Sequence, residues 1–334
     1  MTKLSVLDLS PVCEGATPAD ALGNSLKLAQ AAETLGYHRY WVAEHHNMRG
    51  IASAATAVVI GHIAGGTNTI RVGAGGIMLP NHAPLMVAEQ FGTLEALYPG
   101  RIDLGLGRAP GTDGVTAQAL RRTLNSDPNK FPQDVIELRE YLKDPQPNQR
   151  VTAVPGYGSR VPLYILGSSL FGAQLAAILG LPFAFASHFA PQAMEQALEI
   201  YRKEFEPSEV LDKPYVMLGY NICCAETEAE AIYLRSSGLQ AFLNLRFGNP
   251  GQLPPPVENL EDKLTDQQRL VMNQISSCAS TGTPEQVRRD VEEFVNYTGA
   301  DELIVVAQIY DHDARVRSYD LAMQACNDLT QRAA

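Results

Sequence analysis

Eight short apolar runs, each followed by a helical segment, succeed one another from one end of this chain to the other. The runs read as strands at residues 4–9, 37–43, 70–74, 101–107, 161–166, 182–187, 215–225 and 302–309. Between them the helix signals are local. Thr17-Pro18-Ala19-Asp20 supplies an N-cap threonine, a proline at the first helical position and an acid at the positive end of the helix, and Gly36 is a stop. A second helix is expected over 51–64 and one after the seventh strand over 227–239. Strict alternation argues for a parallel sheet, and eight units argue for closure rather than an open doubly wound sheet. The expected fold is therefore α/β, a single (β/α)8 TIM barrel over residues 1–334, with a long insertion or lid between strand seven and strand eight. That insertion holds Gly248-Asn249-Pro250-Gly251 and Pro254-Pro255-Pro256, and residues 240–274 are expected to act as the lid, since loops of this length usually bind or cover a site.

Composition narrows the partners. The formal net charge is −11 and no run of Lys or Arg makes a local exception, which excludes nucleic acid. Five cysteines, an odd number with no CxxC pair, fit a reduced, cytoplasmic protein. Residues 1–10 carry a single Lys and no long apolar run, so no signal peptide is expected. No apolar stretch approaches the roughly 18–20 residues of a membrane span, so a membrane is not an expected partner either.

In a barrel the C-terminal ends of the strands share one face, and chemistry collects there. Glu44, His45 and His46 follow the second strand, Gly75-Gly76 the third, Arg108 the fourth, Ser168-Ser169 the fifth and His188 the sixth. Ser168 and Ser169 stand between a strand and a helix beginning near Leu170, where hydroxyls and free backbone N–H groups form an anion site; plain N-capping by serine is the alternative. Arg108 on the adjacent strand end adds a bidentate phosphate contact. Two glycines followed by Ile77-Met78-Leu79 mark either a turn or a bulge where a ligand nears the backbone. The spacing of Gly105, Gly107 and Gly111 departs from a dinucleotide fingerprint, and Pro110 falls where its helix should start. Neighbours on an extended strand point to opposite faces, so at most one of His45 and His46 should reach a pocket unless the strand has broken; His46 suits a hydrogen-bonded structural role better. A metal site using His45, His46, His82 or His188 lacks an HxxxH or HxH spacing, and no metal is expected.

Tyr-Trp-Val-Ala-Glu-His-His, Val-Gly-Ala-Gly-Gly-Ile-Met-Leu-Pro, Ala-Glu-Gln-Phe-Gly-Thr-Leu, Tyr-Pro-Gly-Arg-Ile-Asp-Leu-Gly-Leu-Gly-Arg and Gly-Leu-Pro-Phe-Ala-Phe-Ala-Ser-His-Phe, in this order and spacing, resemble the bacterial-luciferase-like flavin-dependent monooxygenases over nearly the whole chain. The resemblance implies a (β/α)8 barrel that uses FMN, taken up reduced as a co-substrate, or in one branch the deazaflavin F420. It implies an enzyme that inserts one oxygen atom of O2 into a small organic substrate by way of a flavin hydroperoxide. His45 matches the catalytic histidine. Gly75 and Gly76 match the small-residue pair whose non-prolyl cis peptide supports the flavin ring, and Glu44 matches a residue lining that ring. Arg108 matches the phosphate-binding arginine, with Ser168, Ser169 and Leu170 beside it. Gly107 stands where the luciferase has a reactive cysteine, so light emission is not expected. Substrate contacts are expected from Cys13, His188, Tyr220 and the lid. A homodimer is implied, and a separate NAD(P)H:flavin reductase is an expected partner. The rival readings are an F420-dependent dehydrogenase, a metal-dependent barrel hydrolase and a non-catalytic flavin-binding protein.

Overall fold

The computed structural model describes residues 2–109, 111–120 and 130–331; Pro110 lies outside them. Among these residues the strands are β1 (Lys3–Asp8), β2 (Arg39–Val42), β3 (Arg71–Met78), β4 (Ile102–Gly107), β5 (Leu163–Gly167), β6 (Phe183–Phe185), β7 (Val216–Cys224), β8 (Ala279–Gly282) and β9 (Glu302–Val306). Their hydrogen-bonded order is β6-β5-β4-β3-β2-β1-β9-β7-β8, and β6 also pairs with β7. That last pairing closes a parallel eight-stranded barrel from β1 to β7 and β9, with β8 as an addition. β7 serves both: Met217 to Asn221 pair with β9, and Asn221 to Cys224 leave the barrel to pair with β8. The expected TIM barrel is present. β8, four residues reading Ala-Ser-Thr-Gly, has too little apolar pattern to be read from sequence.

The helices are α1 (Pro18–Leu35), α2 (Thr56–Gly65), α3 (Pro84–Leu97), α4 (Gly114–Leu120), α5 (Phe131–Leu142), α6 (Leu170–Leu179), α7 (Met194–Lys203), α8 (Glu228–Arg246), α9 (Asp266–Ser276), α10 (Pro284–Thr298) and α11 (His312–Gln331). Thr17 and Asp20 form a reciprocal capping box on α1, and Gly36 ends it in the left-handed conformation, φ 85°. Two expected boundaries are corrected. α2 starts at Thr56 rather than residue 51, because Ile51 bridges Pro11 and the Ser53 hydroxyl donates to the Ala43 carbonyl at 2.6 Å. α8 runs on to Arg246, past residue 239, its middle buried through Ser236, Ser237 and Leu243. Among the described residues no helix is long and apolar enough to cross a membrane, and all five cysteines are free.

Strand alternation sorts the core into two layers. Val6, Tyr40, Val42, Val72 and Leu104 face outward into the helix layer, whereas Leu7, Trp41, Tyr164, Met217 and Ile304 fill the barrel interior. Beneath them an ion network forms the floor at the N-terminal end. Arg39 donates to Glu302 at 2.8 Å, to Asp103 at 2.7 Å and to the Tyr164 hydroxyl at 2.8 Å. Arg71 and the Trp41 indole N–H complete Asp103, and Tyr215 and Ser5 complete Glu302. With its lower end filled, the barrel offers its upper end for a ligand.

Candidate active site

A cavity of about 970 Å³ opens at the C-terminal ends of the strands, near the top of the roughly 300–1,000 Å³ range of small-molecule sites. His45, Gly75, Arg108, Ser168, Ser169 and His188 all lie on its wall, and one face of α8 covers it. The structure thus brings together most of the residues singled out from sequence.

β2 stops at Val42, and Asn47 has φ 56°, so the chain has left the extended form where the histidines occur. Both His45 and His46 therefore reach the cavity, and strand alternation no longer separates them. His45 Nδ1 lies 3.3 Å from the Gly111 carbonyl. A carbonyl only accepts, so Nδ1 carries the proton and Nε2 keeps its lone pair. Burial lowers the His45 pKa, more than the Gly111 contact and the Glu44 charge raise it, and the ring is neutral at pH 7. His46 is the bonded partner of the pair. Its Nε2 lies 2.8 Å from Glu44 Oε1, as does Nε2 of His82, and the Met78 N–H donates to Oε2 at 3.1 Å.

Glu44 is corrected by this arrangement. It is fully buried and lies behind the cavity wall rather than on it, its carboxylate spent on two imidazoles and a backbone N–H. Burial alone would raise its pKa; the bonds from His82, His46 and Met78 outweigh that and hold it ionised. Glu44, His46 and His82 are close enough to share a metal ion, their ligand atoms within 4.8 Å of one another, but here they are hydrogen-bonded to each other. His45 and His188 stand outside that group.

The Gly75–Gly76 peptide bond is cis. The β3–β4 register shifts between Ala74 and Ile77, so the pair marks a bulge and not a turn. The need for glycine comes from the barrel itself. A Cβ on Gly75 would stand 2.7 Å from Leu7 Cδ1, and one on Gly76 would stand 2.6 Å from the Gly105 carbonyl oxygen. Gly75 lies on the cavity wall and Gly76 just behind it. Gly105 and Gly107 belong to β4 itself, which removes the dinucleotide reading.

Arg108 is exposed and places its guanidinium 4.3 Å from the centre of the Phe171 ring, with no acidic partner among the described residues. Ser169 occupies the N-cap position of α6 with extended φ −139° and ψ 164°, yet its hydroxyl makes no capping bond. The capping alternative is thereby set aside for Ser169, and among the described residues its hydroxyl, the first-turn N–H groups of α6 and the Arg108 guanidinium have no hydrogen-bond partner on this rim. Leu170 begins α6 and packs its side chain against the outer core, so it offers this rim only backbone.

His188 is on the wall, with Nδ1 buried and unpartnered among the described residues. Burial, with a smaller contribution from His45 when that ring is protonated, pulls its pKa down to about 4. Gly219 makes room for it: a Cβ there would overlap Nδ1. Tyr220 and Cys13 are corrected. Gly219 and Asn221 face the cavity, so Tyr220 between them points outward, its ring 4.7 Å from that of Phe294 on α10. Cys13 lies off the wall, where its thiol donates to the Tyr310 carbonyl at 3.3 Å and its backbone pairs with Leu253 of the insertion. That pairing fastens the insertion to the rim at Leu253, beside Pro250 and Gly251 on the cavity wall. Sequence reasoning missed Phe171, Asn221, Arg235 and Arg246 on the wall. The signal for the two arginines was the helical spacing of Arg235, Leu239, Phe242 and Arg246, which the early end assigned to α8 concealed.

Residues 2–302 match the family model described as luciferase-like monooxygenase. A luciferase-like monooxygenase of Escherichia coli (strain K12) is 52% identical over 325 residues, covering 97% of each chain. The N-acetyl-S-alkylcysteine monooxygenase of Bacillus subtilis (strain 168) is 33% identical, over 97% of this chain and 98% of that one. Among solved structures, apo-MsnO8 superimposes with a TM-score of 0.87 at 37% identity, covering 98% of this chain and 99% of its own.

Proposed function

This chain belongs to the luciferase-like monooxygenase family, and from that premise we propose that it is an FMN-dependent monooxygenase that transfers one oxygen atom of O2 to a small organic substrate. Reduced FMN, when bound, supplies the activation of O2, which no side chain of the protein can perform.

The residues on the cavity wall fit such a cofactor. Arg108, Ser168, Ser169 and the first-turn N–H groups of α6 make a cradle for a phosphate. Gly75 offers bare backbone for the ring. His45, neutral and with a free Nε2, accepts a proton from the reacting substrate and returns it. Glu44 keeps His46 in place so that the histidine pair stays ordered. The apolar wall, with Leu7, Ile304 and Phe242, excludes water. The observation that carries the reading is the pairing of an arginine without an acidic partner among the described residues and an N-cap serine that does not cap.

Titrating the purified protein with FMN while following the flavin absorption bands tests this directly. Saturable binding with a shifted spectrum is expected, followed by transfer of label from 18O2 to product once a substrate is found. Saturation by F420 and not by FMN would move the protein to the dehydrogenase branch, and binding of neither would end the flavin reading. The proposal extends to a cytoplasmic homodimer supplied by a separate NAD(P)H:flavin reductase. Val58 on α2 and Met86 and Leu97 on α3 leave large apolar side chains exposed on neighbouring helices, which supports the dimer; sedimentation at micromolar concentration checks it.

A further inference from the structure

The cavity wall runs against the charge of the protein. In a chain of net charge −11 it carries three arginines, Arg108, Arg235 and Arg246, and none has a carboxylate partner among the described residues. The carboxylate on the wall, Asp113, is at the exposed rim and engaged by Thr116 and Asn47. Arg108 is taken by the flavin phosphate in the reading above. Arg246 stacks on two rings, 4.6 Å from Phe189 and 5.2 Å from Phe242, and donates to the Phe189 carbonyl at 3.1 Å.

Arg235 is different. It is half-buried, and its donors meet only neutral hydroxyls, Thr281 Oγ1 at 2.6 Å and Ser276 Oγ at 3.3 Å. A guanidinium has five N–H donors, and the bonds to Thr281 and Ser276 are its hydrogen bonds to protein groups among the described residues. Cys223 and Tyr220 stand near it, but burial raises both pKa values and keeps both protonated. Glu261 adds a weaker field from an exposed position without forming an ion pair. Burial accordingly pulls Arg235 below its ordinary range. On the cavity wall its charge therefore faces the cavity with no carboxylate partner among the described residues.

We propose that Arg235 is a second anion-binding residue of this cavity, and that the substrate presents to it a carboxylate carried on an apolar stem. The stem follows from α8, whose cavity face continues from Arg235 through Gly238, Leu239, Phe242 and Leu245. A carboxylate suits this position better than a phosphate dianion, because among the described residues no second cation and no helix N-terminus joins Arg235. Arg246 is eleven residues further along α8, about 16 Å at 1.5 Å per residue, too far to share one small anion. Placement agrees with a substrate role. Thr281 is on β8, which pairs with β7, and β7 is four strands from β3 whichever way the barrel is followed, by β4, β5 and β6 or by β2, β1 and β9. Arg235 lines the same cavity as Gly75 and His45, so a ligand held there shares it with them. The assignment of Arg108 to a flavin phosphate rests on the proposed function; that of Arg235 does not.

Octanoate and its neutral counterpart octanamide probe the site by calorimetry on the full chain, with and without FMN. The wild type is expected to prefer octanoate by about ten- to a hundredfold, the worth of a charged hydrogen bond. Arg235→Gln should abolish the preference, while Arg235→Lys and Arg246→Gln should keep it. Equal binding of both probes by the wild type, or a preference that survives Arg235→Gln, overturns the proposal. So does inorganic phosphate displacing octanoate from Arg108→Gln protein at equal concentration. FMN affinity should fall in Arg108→Gln and hold in Arg235→Gln; the reverse would give Arg235 to the cofactor. If FMN binds to neither form, the cofactor reading fails, and the octanoate comparison in the flavin-free protein still decides this one.

Discussion

Desolvation holds His188 neutral with a pKa pulled down to about 4, whereas an unfolded chain protonates a histidine near pH 6.5. Between those values the unfolded state binds the extra proton, so the contribution to stability is complete above about pH 6.5 and is lost as pH falls towards 4. Urea denaturation at pH 7 and pH 4.5 should show this: His188→Phe should lose less stability on acidification than the wild type, by on the order of 2–3 kcal/mol. The role proposed for His45 is kinetic. His45→Ala should leave FMN affinity within about twofold and lower kcat by about 10²–10⁴-fold, the usual worth of a general acid or base; unchanged turnover would remove it from the reaction. Both histidines were legible in sequence because each follows a readable strand. Tyr220 was misread because its outward direction depends on the register of β7, which composition does not reveal. Glu44 was misread because its partner His82 comes from another loop, 38 residues away.

The helix starts give a paired test at the next scale. Thr283 caps α10 in a reciprocal box with Gln286, and Thr283→Ala should cost about 1 kcal/mol of stability. Ser169 holds the same position on α6 but its hydroxyl is not used for the helix. Ser169→Ala should therefore change stability by less than about 0.5 kcal/mol while weakening FMN binding severalfold in the same titration. A loss of stability equal to that of Thr283→Ala would return Ser169 to an ordinary cap. Elements with local signals were readable: the Thr17-Pro18 start, the Gly36 stop and the glycine bulge in β3. β8 and the second half of α8 were not. β8 owes its strand form to pairing with β7, and α8 owes its length to packing over the barrel mouth.

Across the whole molecule, the floor network should dominate stability and leave the mouth alone. Arg39→Met leaves Glu302 without a cation in the barrel interior and takes one of two arginines from Asp103, and should cost about 3–5 kcal/mol, measured by denaturant unfolding, with the FMN spectrum of the folded fraction unchanged. The barrel was legible because eight repeated units leave few alternatives. The floor was not, since Arg39, Arg71, Asp103 and Glu302 come from four strands, β2, β3, β4 and β9, and meet only once those strands are paired in the order β4-β3-β2-β1-β9. The claim on which the functional account rests is that the rim between β4 and β5 grips a phosphate. Comparing FMN with riboflavin, its counterpart without phosphate, in the wild type and in Arg108→Gln tests that grip most directly. FMN should bind the wild type at least about tenfold more tightly than riboflavin, and Arg108→Gln should remove most of that advantage while leaving riboflavin affinity alone. An FMN-to-riboflavin ratio that is the same in both proteins would contradict the account.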